Sequence, residues 1–368
     1  MVSGEAGDSP GLDPALGRAS RERSRWGRRS PGRDGSLGSD RGGATYAALD
    51  LGTNNCRLLV ARPAGDGFRV VDAFSRIIRL GEGVSTSGQL SESAIERAIA
   101  ALTVCRSKMR NKGVTRSRLI ATEACRTAEN GEQFRARVQH ELALDLEVID
   151  RATEAELAAT GCAPLIDTDA DGVVLFDIGG GSSELVRLDQ PEAMACGPPR
   201  PRIRGWISLP HGVVTLAERH GGHDVSRETY ERMVTEVAQY IAPFAREHGG
   251  GLHGIHMLGT SGTVTTIAGV HLDLKRYDRN RVDGCWMSAG EIEAVVERLL
   301  SMSYQQRVDT PCIGAERADL VLAGCAIFEA IRRAFPCARL RVADRGLREG
   351  MLMQMMRADG VWGGRATP

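Results

Sequence analysis

Short apolar runs alternate with longer stretches of helical periodicity along most of this chain. The runs predict strands near 45–51, 56–62, 68–74, 76–80, 118–122, 146–150, 173–178, 184–188, 203–208, 255–259 and 339–343. Apolar residues at helical spacing predict helices near 91–111, 130–143, from 153 onward, 211–220, 226–248, 262–270, 289–302, 315–333 and 346–357. Strand clusters that alternate with helices are typical of α/β proteins.

Two of the predicted hairpins share one sequence pattern. In the segments 46–55 and 173–183, an apolar strand ends in Asp-aliphatic-Gly, at Asp50 and at Asp177. Each continues into small, hydroxyl or amide residues and then returns to an apolar run. Glycine in such a turn lets backbone N–H groups approach an anion, and an aspartate at the strand end can hold hydrated Mg²⁺ against phosphate oxygens.

Two copies separated by about the length of a domain predict a duplicated protein in which each half gives one loop to a shared cleft. We therefore expect a first domain over 44–160 and a second over 161–357. Residues 1–43 are rich in Gly, Ser, Pro and Arg, which predicts a disordered tail, and 358–368 are expected to be a flexible tail.

Composition narrows the class of protein. The 368 residues carry 47 basic and 47 acidic side chains, so no net field indicates nucleic acid or a membrane as partner. The nine cysteines have no metal-ligand spacing and are odd in number, which argues against a disulfide framework. With no apolar run long enough to span a bilayer and no secretion signal, the expected location is the cytoplasm.

Four short motifs follow one another along the chain in this order: Asp50-Leu-Gly-Thr-Asn, Asp177-Ile-Gly-Gly-Gly-Ser-Ser-Glu-Leu, Gly259-Thr-Ser-Gly-Thr and Asp344-Arg-Gly-Leu-Arg-Glu-Gly. In these motifs the chain resembles the exopolyphosphatase and guanosine pentaphosphate phosphatase (Ppx/GppA) family, over 44–357. The resemblance implies two ribonuclease-H-like domains of the actin, sugar kinase and heat-shock ATPase fold group, with the active site between them. We interpret the last motif as a turn into the final helix.

The resemblance implies a Mg²⁺-dependent hydrolase that releases terminal phosphate from inorganic polyphosphate, or the 5′ phosphate from guanosine pentaphosphate in the stringent response. It makes Glu154 the base that activates water, Arg126 a contact to the phosphate chain, and Asp50, Asp177 and Glu184 the metal-associated carboxylates. The resemblance is compatible with a homodimer. The expected phosphate-binding residues are Gly52, Thr53, Asn54, Gly179, Gly180, Gly181, Ser182, Gly259, Ser261 and Gly262, of which the last three open a predicted helix.

The chain departs from the family around Glu154. Where the family often has Ser-Gly-x-Glu-Glu-Ala-Arg, this chain has Asp150-Arg-Ala-Thr-Glu-Ala-Glu156, so the base is kept and the Arg is replaced by Glu156. The resemblance therefore does not say which residues contact phosphate beside the base. The chain also stops soon after its last motif, where long members of the family continue into another helical domain.

Several alternatives remain open. Glu154 could be a carboxylate that favours a helix dipole, Arg126 a surface ion pair, and the Gly259 motif tight strand–helix packing. His211 and His256 are interpreted as structural residues and not as metal ligands. For the whole chain, the alternatives are an ATP-dependent phosphotransferase of the sugar-kinase type and a noncatalytic regulator that binds nucleotide or polyphosphate.

Overall fold

The computed structural model describes residues 43–251 and 254–362, so the predicted tails at 1–42 and 363–368 lie outside the described residues. The strands are β1 (Tyr46–Leu51), β2 (Asn55–Ala64), β3 (Gly67–Ile77), β4 (Arg116–Ala121), β5 (Glu147–Val148), β6 (Gly172–Ile178), β7 (Ser183–Glu192), β8 (Arg200–Leu209), β9 (Ile255–Thr260), β10 (Trp286–Ser288) and β11 (Arg339–Val342).

The helices connect and flank these strands. They are α1 (Val84–Ser87), α2 (Glu92–Asn111), α3 (Glu123–Thr127), α4 (Gly131–Leu142), α5 (Arg151–Cys162), α6 (Val213–His220), α7 (Arg227–His248), α8 (Ser261–His271), α9 (Arg279–Val282), α10 (Ala289–Ser301), α11 (Tyr304–Asp309), α12 (Val321–Ala334) and α13 (Leu347–Ala358). A 3₁₀ turn, Ala163–Leu165, follows α5. Within the described ranges, no helix is both long and apolar enough to cross a membrane.

The strands form two sheets of the same topology. The first has the order β3-β2-β1-β4-β5 and the second has β10-β11-β9-β6-β7-β8. In each, the first strand pairs antiparallel with the next strand of a hairpin and parallel with a strand that arrives by a helical crossover. Apart from the added strand β10, the second sheet repeats the first. The expected pair of ribonuclease-H-like halves is confirmed.

A layer of two helices lies between the sheets. Helices α5 and α13 pack on each other, α13 also packs on β1, and α5 contacts β7 and β8. A Cβ on Gly161 would lie 2.0 Å from the carbonyl oxygen of Gly346, and one on Gly350 would lie 2.1 Å from that of Leu157. Glycine is therefore required for this crossing. The layer fixes the first turn of α5, which carries Glu154, between the two sheets.

Some predicted elements differ from the observed ones. A strand predicted at 76–80 is absent beyond Ile77, because the N–H groups of Ile78 and Arg79 donate to the carbonyl of Asn54 instead of to a neighbouring strand. Arg79 has φ of 46°, a left-handed conformation that ends the strand. Helix α12 begins at Val321, after a series of turns, and not at 315 as predicted. Short elements such as α3 and β10 escape the sequence pattern because they contain too few residues to show a period.

The C-terminal segment after α13 is attached to the first half. The hydroxyl of Tyr46 donates to Oδ2 of Asp359 at 2.8 Å, and Arg116 pairs with the same carboxylate. Trp362 packs against Gly197. Residues 359–362 of the segment that was expected to be flexible therefore have specific partners.

His256 is a structural residue of the second sheet. It is 1% exposed, its Nδ1 faces the carbonyl of Met257 at 2.8 Å, and its Nε2 accepts from the N–H of Asp167 at 3.2 Å. Its ring packs edge-on against Trp286. An imidazole that donates from one nitrogen and accepts at the other is neutral, and burial lowers the pKa of His256 to about 4.

We predict that His256 destabilises the protein in acid. Its pKa is near 6.5 when unfolded and about 4 when folded, so between these values the unfolded chain binds more protons and stability falls as pH decreases. Relative to a His256→Gln variant, which cannot titrate, the wild type should lose about 1.4 kcal/mol of unfolding free energy per pH unit between pH 6 and 4. Urea denaturation at several pH values measures this, and parallel curves for the two proteins would contradict it.

Candidate active site

The two hairpin turns open into one cleft of about 690 Å³ between the sheets. Most of the predicted site residues line it, namely Asp50, Gly52, Thr53, Asn54, Glu154, Asp177, Gly179, Gly180, Gly181, Ser182, Glu184, Ser261 and Gly262. Two predicted residues, Arg126 and Gly259, do not form part of the lining. The structure thus brings together residues that are up to 212 positions apart in the chain, from Asp50 to Gly262.

The two turns have the same backbone geometry. In the first loop, residues 52–55, the N–H of Gly52 donates to the carbonyl of Asn55 at 2.9 Å. In the second loop, residues 179–182, the N–H of Gly179 donates to the carbonyl of Ser182 at 3.0 Å. The N–H groups between these closing bonds find no backbone acceptor within the described ranges. Such successive N–H groups form a concavity for an anion.

The two loops touch each other. A Cβ added to Gly180 would lie 3.1 Å from the backbone nitrogen of Asn54, and one added to Gly181 would lie 2.7 Å from Oγ1 of Thr53. The second loop is held from behind by α6, because the N–H groups of Val213 and Val214 donate to the carbonyls of Gly179 and Gly180. Only residues without side chains allow the halves to approach this closely.

Asp177 and Glu184 face each other across the second hairpin. The hydroxyl of Ser208 donates to Oε1 of Glu184 at 2.8 Å. Burial raises the pKa of Asp177 to about 6, although Arg57 opposes the shift. Burial and the charge of Asp177 raise the pKa of Glu184 to about 7. These two carboxylates therefore carry less than their full negative charge near neutral pH unless a cation joins them.

The carboxylates are of the type that could hold a magnesium ion together with a phosphate. Within the described part of the chain, no three His, Cys, Asp or Glu side chains are arranged to hold a metal by themselves. Mg²⁺ in phosphoryl-transfer sites commonly takes one or two carboxylates and completes its shell with phosphate oxygens and water. Asp177 and Glu184 would supply that donor set beside the second loop.

Arg57 is a site residue that sequence reasoning missed. It pairs across the first hairpin with Asp50, in the position that Glu184 occupies opposite Asp177 in the second. Its charge opposes the effect of burial, which raises the pKa of Asp50. The signal was available in the sequence, because each partner lies seven residues after its aspartate. The strand position opposite the aspartate thus carries a cation in the first hairpin and a carboxylate in the second.

More arginines line the same cleft: Arg76, Arg279, Arg317, Arg345 and Arg348. Arg279 and Arg345 are paired with acidic neighbours, Glu349 and Asp283. By contrast, Arg317 and Arg348 make no ion pair with any described residue, and burial lowers the pKa of both guanidinium groups. Arg348 belongs to the motif that we interpreted only as a turn. Half-buried cations without ion-pair partners are typical of a site that binds a polyanionic ligand.

Glu154 lies on the wall of the cleft at the start of α5. Asp150 caps the helix by accepting from the N–H of Thr153 at 2.7 Å, which places Glu154 in the first turn. Its side chain is buried, and Oε2 lies 3.3 Å from Nη1 of Arg126. Burial, followed by the charge of Glu184, raises the pKa of Glu154 well above its usual value.

Arg126 lies behind the cleft surface. Its guanidinium contacts Glu154, donates to the carboxylate of Glu123 from Nε at 3.0 Å and donates to the carbonyl of Ile149 at 2.7 Å. Arg151 also binds Glu123, at 2.8 Å. Arg126 is therefore not part of the cleft lining, where Glu123 stands in its place, and its contact with phosphate stays a prediction.

The replacement at Glu156 lies outside the cleft. Its Oε1 accepts from Nε2 of Gln354 on α13 at 3.1 Å, and it lines a separate groove with Arg200 and Arg357. Glu154 and Glu156 are two positions apart on a helix and so face different directions. The acidic replacement consequently leaves the charge of the cleft unchanged.

The third motif divides into a packing part and a site part. A Cβ on Gly259 would lie 2.5 Å from the ring of Phe176, so this glycine serves strand packing. Ser261 and Gly262 line the cleft at the start of α8. Ser261 has φ of 79°, a strained conformation for a residue with a side chain, and such strain is common at functional sites.

A model of the Ppx/GppA phosphatase family matches residues 59–359. The chain belongs to that family. A solved Ppx/GppA family member from Aquifex aeolicus is 28% identical, with a TM-score of 0.71, and the match covers 86% of this chain and 98% of that one. A structure described as an exopolyphosphatase-like protein is 29% identical, with a TM-score of 0.76 and the same coverage.

A third solved structure supports the fold of this Ppx/GppA chain. It is an exopolyphosphatase from Cytophaga hutchinsonii, 23% identical, with a TM-score of 0.77, and the match covers 85% of this chain and 98% of that one.

We predict that Gly212→Ala disables the second loop. The new Cβ would lie 2.2 Å from the carbonyl carbon and oxygen of Gly180, and backbone cannot yield as a flexible side chain does. We expect pyrophosphate binding, measured by calorimetry, to weaken at least about tenfold, with some loss of stability. Gly290→Ala is the control, because its Cβ meets no atom within 4 Å. Equal affinity in wild type and Gly212→Ala would contradict the role of this loop.

Proposed function

We propose that this Ppx/GppA phosphatase is a Mg²⁺-dependent phosphoanhydride hydrolase that releases terminal phosphate from inorganic polyphosphate, the 5′ phosphate from guanosine pentaphosphate, or both. One observation carries the proposal. Glu154 stands on the wall of a cleft that also contains two anion-binding loops, a pair of buried carboxylates and several arginines. The names of the solved relatives, among them an exopolyphosphatase-like protein at 29% identity, support the same reaction.

The arrangement suits attack by water on a terminal phosphoryl group. Loop N–H groups, Arg57, Arg317 and Arg348 would hold the phosphate chain and offset its charge. The oxygen of water attacks the terminal phosphorus, and the bond from phosphorus to the bridging oxygen breaks. The bridging oxygen leaves with the shortened chain. Glu154 takes a proton from the attacking water, so the products are orthophosphate and a chain one phosphate shorter.

Arg126 favours the ionised form of Glu154, which is the form that a base requires. Without a cation beside it, a buried glutamate among other carboxylates would stay protonated and could not accept a proton. Arg126 opposes the rise in the pKa of Glu154 that burial and Glu184 produce. Its bond to the carbonyl of Ile149 also fixes the guanidinium, and therefore the orientation of the carboxylate. We assign Arg126 a positioning role.

Magnesium would be held by Asp177 and Glu184, with Asp50 close by on the first hairpin. When bound, it supplies charge neutralisation for the phosphate oxygens. Both carboxylates would then be ionised, because the charge of a bound cation would oppose the burial that raises their pKa values. A chelator is therefore expected to abolish turnover.

We predict that Glu154→Gln lowers phosphate release by at least about a hundredfold, because the amide cannot accept the proton of water. Release is measured from long-chain polyphosphate and from guanosine pentaphosphate in parallel, with Mg²⁺ and with chelator. Glu156→Gln is the matched control, with the same chemical change two residues along α5 but outside the cleft. It should retain activity.

Each outcome of that experiment is informative. Release from one substrate only would name the substrate. Release that survives Glu154→Gln would reject Glu154 as the base. If neither substrate is hydrolysed while polyphosphate still binds, the hydrolase is wrong and a noncatalytic binding protein remains. Phosphate transfer that requires an added sugar acceptor would indicate the kinase alternative.

We predict that Arg57→Gln weakens substrate binding. The change removes a cation that faces both Asp50 and Asp177 in the cleft, so the phosphate chain loses a charged partner. KM should rise about tenfold, with a smaller effect on kcat. Arg69→Gln, at an exposed position on the neighbouring strand β3 and outside the cleft lining, is the control. Unchanged KM for Arg57→Gln would exclude the predicted contact.

A further inference from the structure

Glu123 holds two arginines at the edge of the cleft. Its Oε2 accepts from Nε of Arg126 at 3.0 Å and also from Nη2 of that residue, while its Oε1 accepts from Nη2 of Arg151 at 2.8 Å. The side chain is only 8% exposed, and its surface belongs to the cleft. Neither arginine is part of the lining. The carboxylate therefore lies between the cleft and both cations.

Every nitrogen of the Arg126 guanidinium already has a hydrogen-bond partner. Nε and Nη2 go to Glu123, and Nη1 goes to the carbonyl of Ile149 and to Glu154. Arg151 has a buried Nε that finds no hydrogen-bond partner among the described residues. An anion in the cleft can reach Arg126 only if the carboxylate of Glu123 moves away.

The position of Glu123 suits a phosphate group. Arginine binds carboxylate and phosphate oxygens with the same two-pronged geometry. Burial alone would raise the pKa of Glu123, but hydrogen bonds from Arg151 and Arg126 outweigh burial and hold that pKa below its usual value. The residue is thus an ionised carboxylate next to the second loop, where a Cβ on Gly181 would lie 3.0 Å from Cγ of Glu123.

We infer that Glu123 is an internal competitor for phosphate: its carboxylate occupies an anion position on Arg126 and Arg151, and a phosphate group binds there only by displacing it. The inference rests on the proposed function for the nature of the anion. Its consequence is weak retention of orthophosphate, the product, at the position next to Glu154. Glu123 therefore limits how tightly the cleft holds phosphate at this position, and it takes no part in bond making.

The test measures binding of orthophosphate, which cannot be hydrolysed, by calorimetry in the absence of Mg²⁺. Glu123→Gln keeps the size of the side chain and removes its charge, so the two arginines become available. We expect orthophosphate to bind about tenfold more tightly than to the wild type. Glu129→Gln is the matched control, because Glu129 is exposed, lies near the same short helix and contacts Gln89 outside the cleft. Its affinity should equal that of the wild type.

A double variant identifies the route. Adding Arg126→Met to Glu123→Gln should remove the gain, since the gain is attributed to the released guanidinium. Glu123→Asp keeps the charge but shortens the side chain by one methylene, so that it cannot hold both arginines. We expect it to give a smaller gain, and it serves as the second variant if Glu123→Gln fails to fold.

Opposite results would overturn the inference. If Glu123→Gln binds orthophosphate no more tightly, or more weakly, while kcat on polyphosphate falls, Glu123 only orients Arg126. The binding test does not depend on turnover. A chain that hydrolyses neither substrate but shows the gain would reject the proposed hydrolase and retain the internal competitor, whereas an active hydrolase without the gain would do the reverse.

Discussion

The site depends on the direct contact between the two glycine-containing loops. Gly180 and Gly181 lie against Thr53 and Asn54, at distances that leave no room for a Cβ. Because the loops belong to different sheets, this contact sets the separation of the halves. The separation in turn places the carboxylates of one hairpin and Arg57 of the other around one volume. A bulkier loop would move apart groups that must act on the same phosphate.

Duplication produced a site that is symmetric in backbone and asymmetric in charge. Both hairpins have an aspartate before the loop and a partner seven residues later, but that partner is Arg57 in the first and Glu184 in the second. The proposed reaction would use both kinds of group, since the phosphate oxygens require cations while the proposed magnesium ion requires carboxylates. The strand register delivers both to the same cleft without any change of fold.

The sequence predicted the parts of this protein that are local. The two hairpins and the long helices follow from apolar period and turn chemistry, and the structure contains them. Most of the predicted site residues line one cleft, while their roles in binding phosphate stay predictions. What it did not predict depends on long-range packing. Arg126 meets Glu154 of α5, which lies 28 positions along the chain, and the return of α13 to the first sheet joins residues more than 300 positions apart, such as Tyr46 and Asp359. The place of Arg57 opposite Asp50 could have been predicted from its spacing in the hairpin. The position of Glu123 in front of two arginines could not.

The cleft contains desolvated charged groups of both signs. Burial raises the pKa values of Asp177, Glu184 and Glu154 and lowers those of Arg317 and Arg348, so each group is destabilised in its charged form. A phosphate chain bound together with a divalent cation would stabilise the charged forms of both groups at once. The anion would bind to the arginines and the cation to the carboxylates. Either ligand alone would relieve only one set. Binding of phosphate and metal should therefore be mutually reinforcing, which follows from charge alone and requires no movement of the two halves.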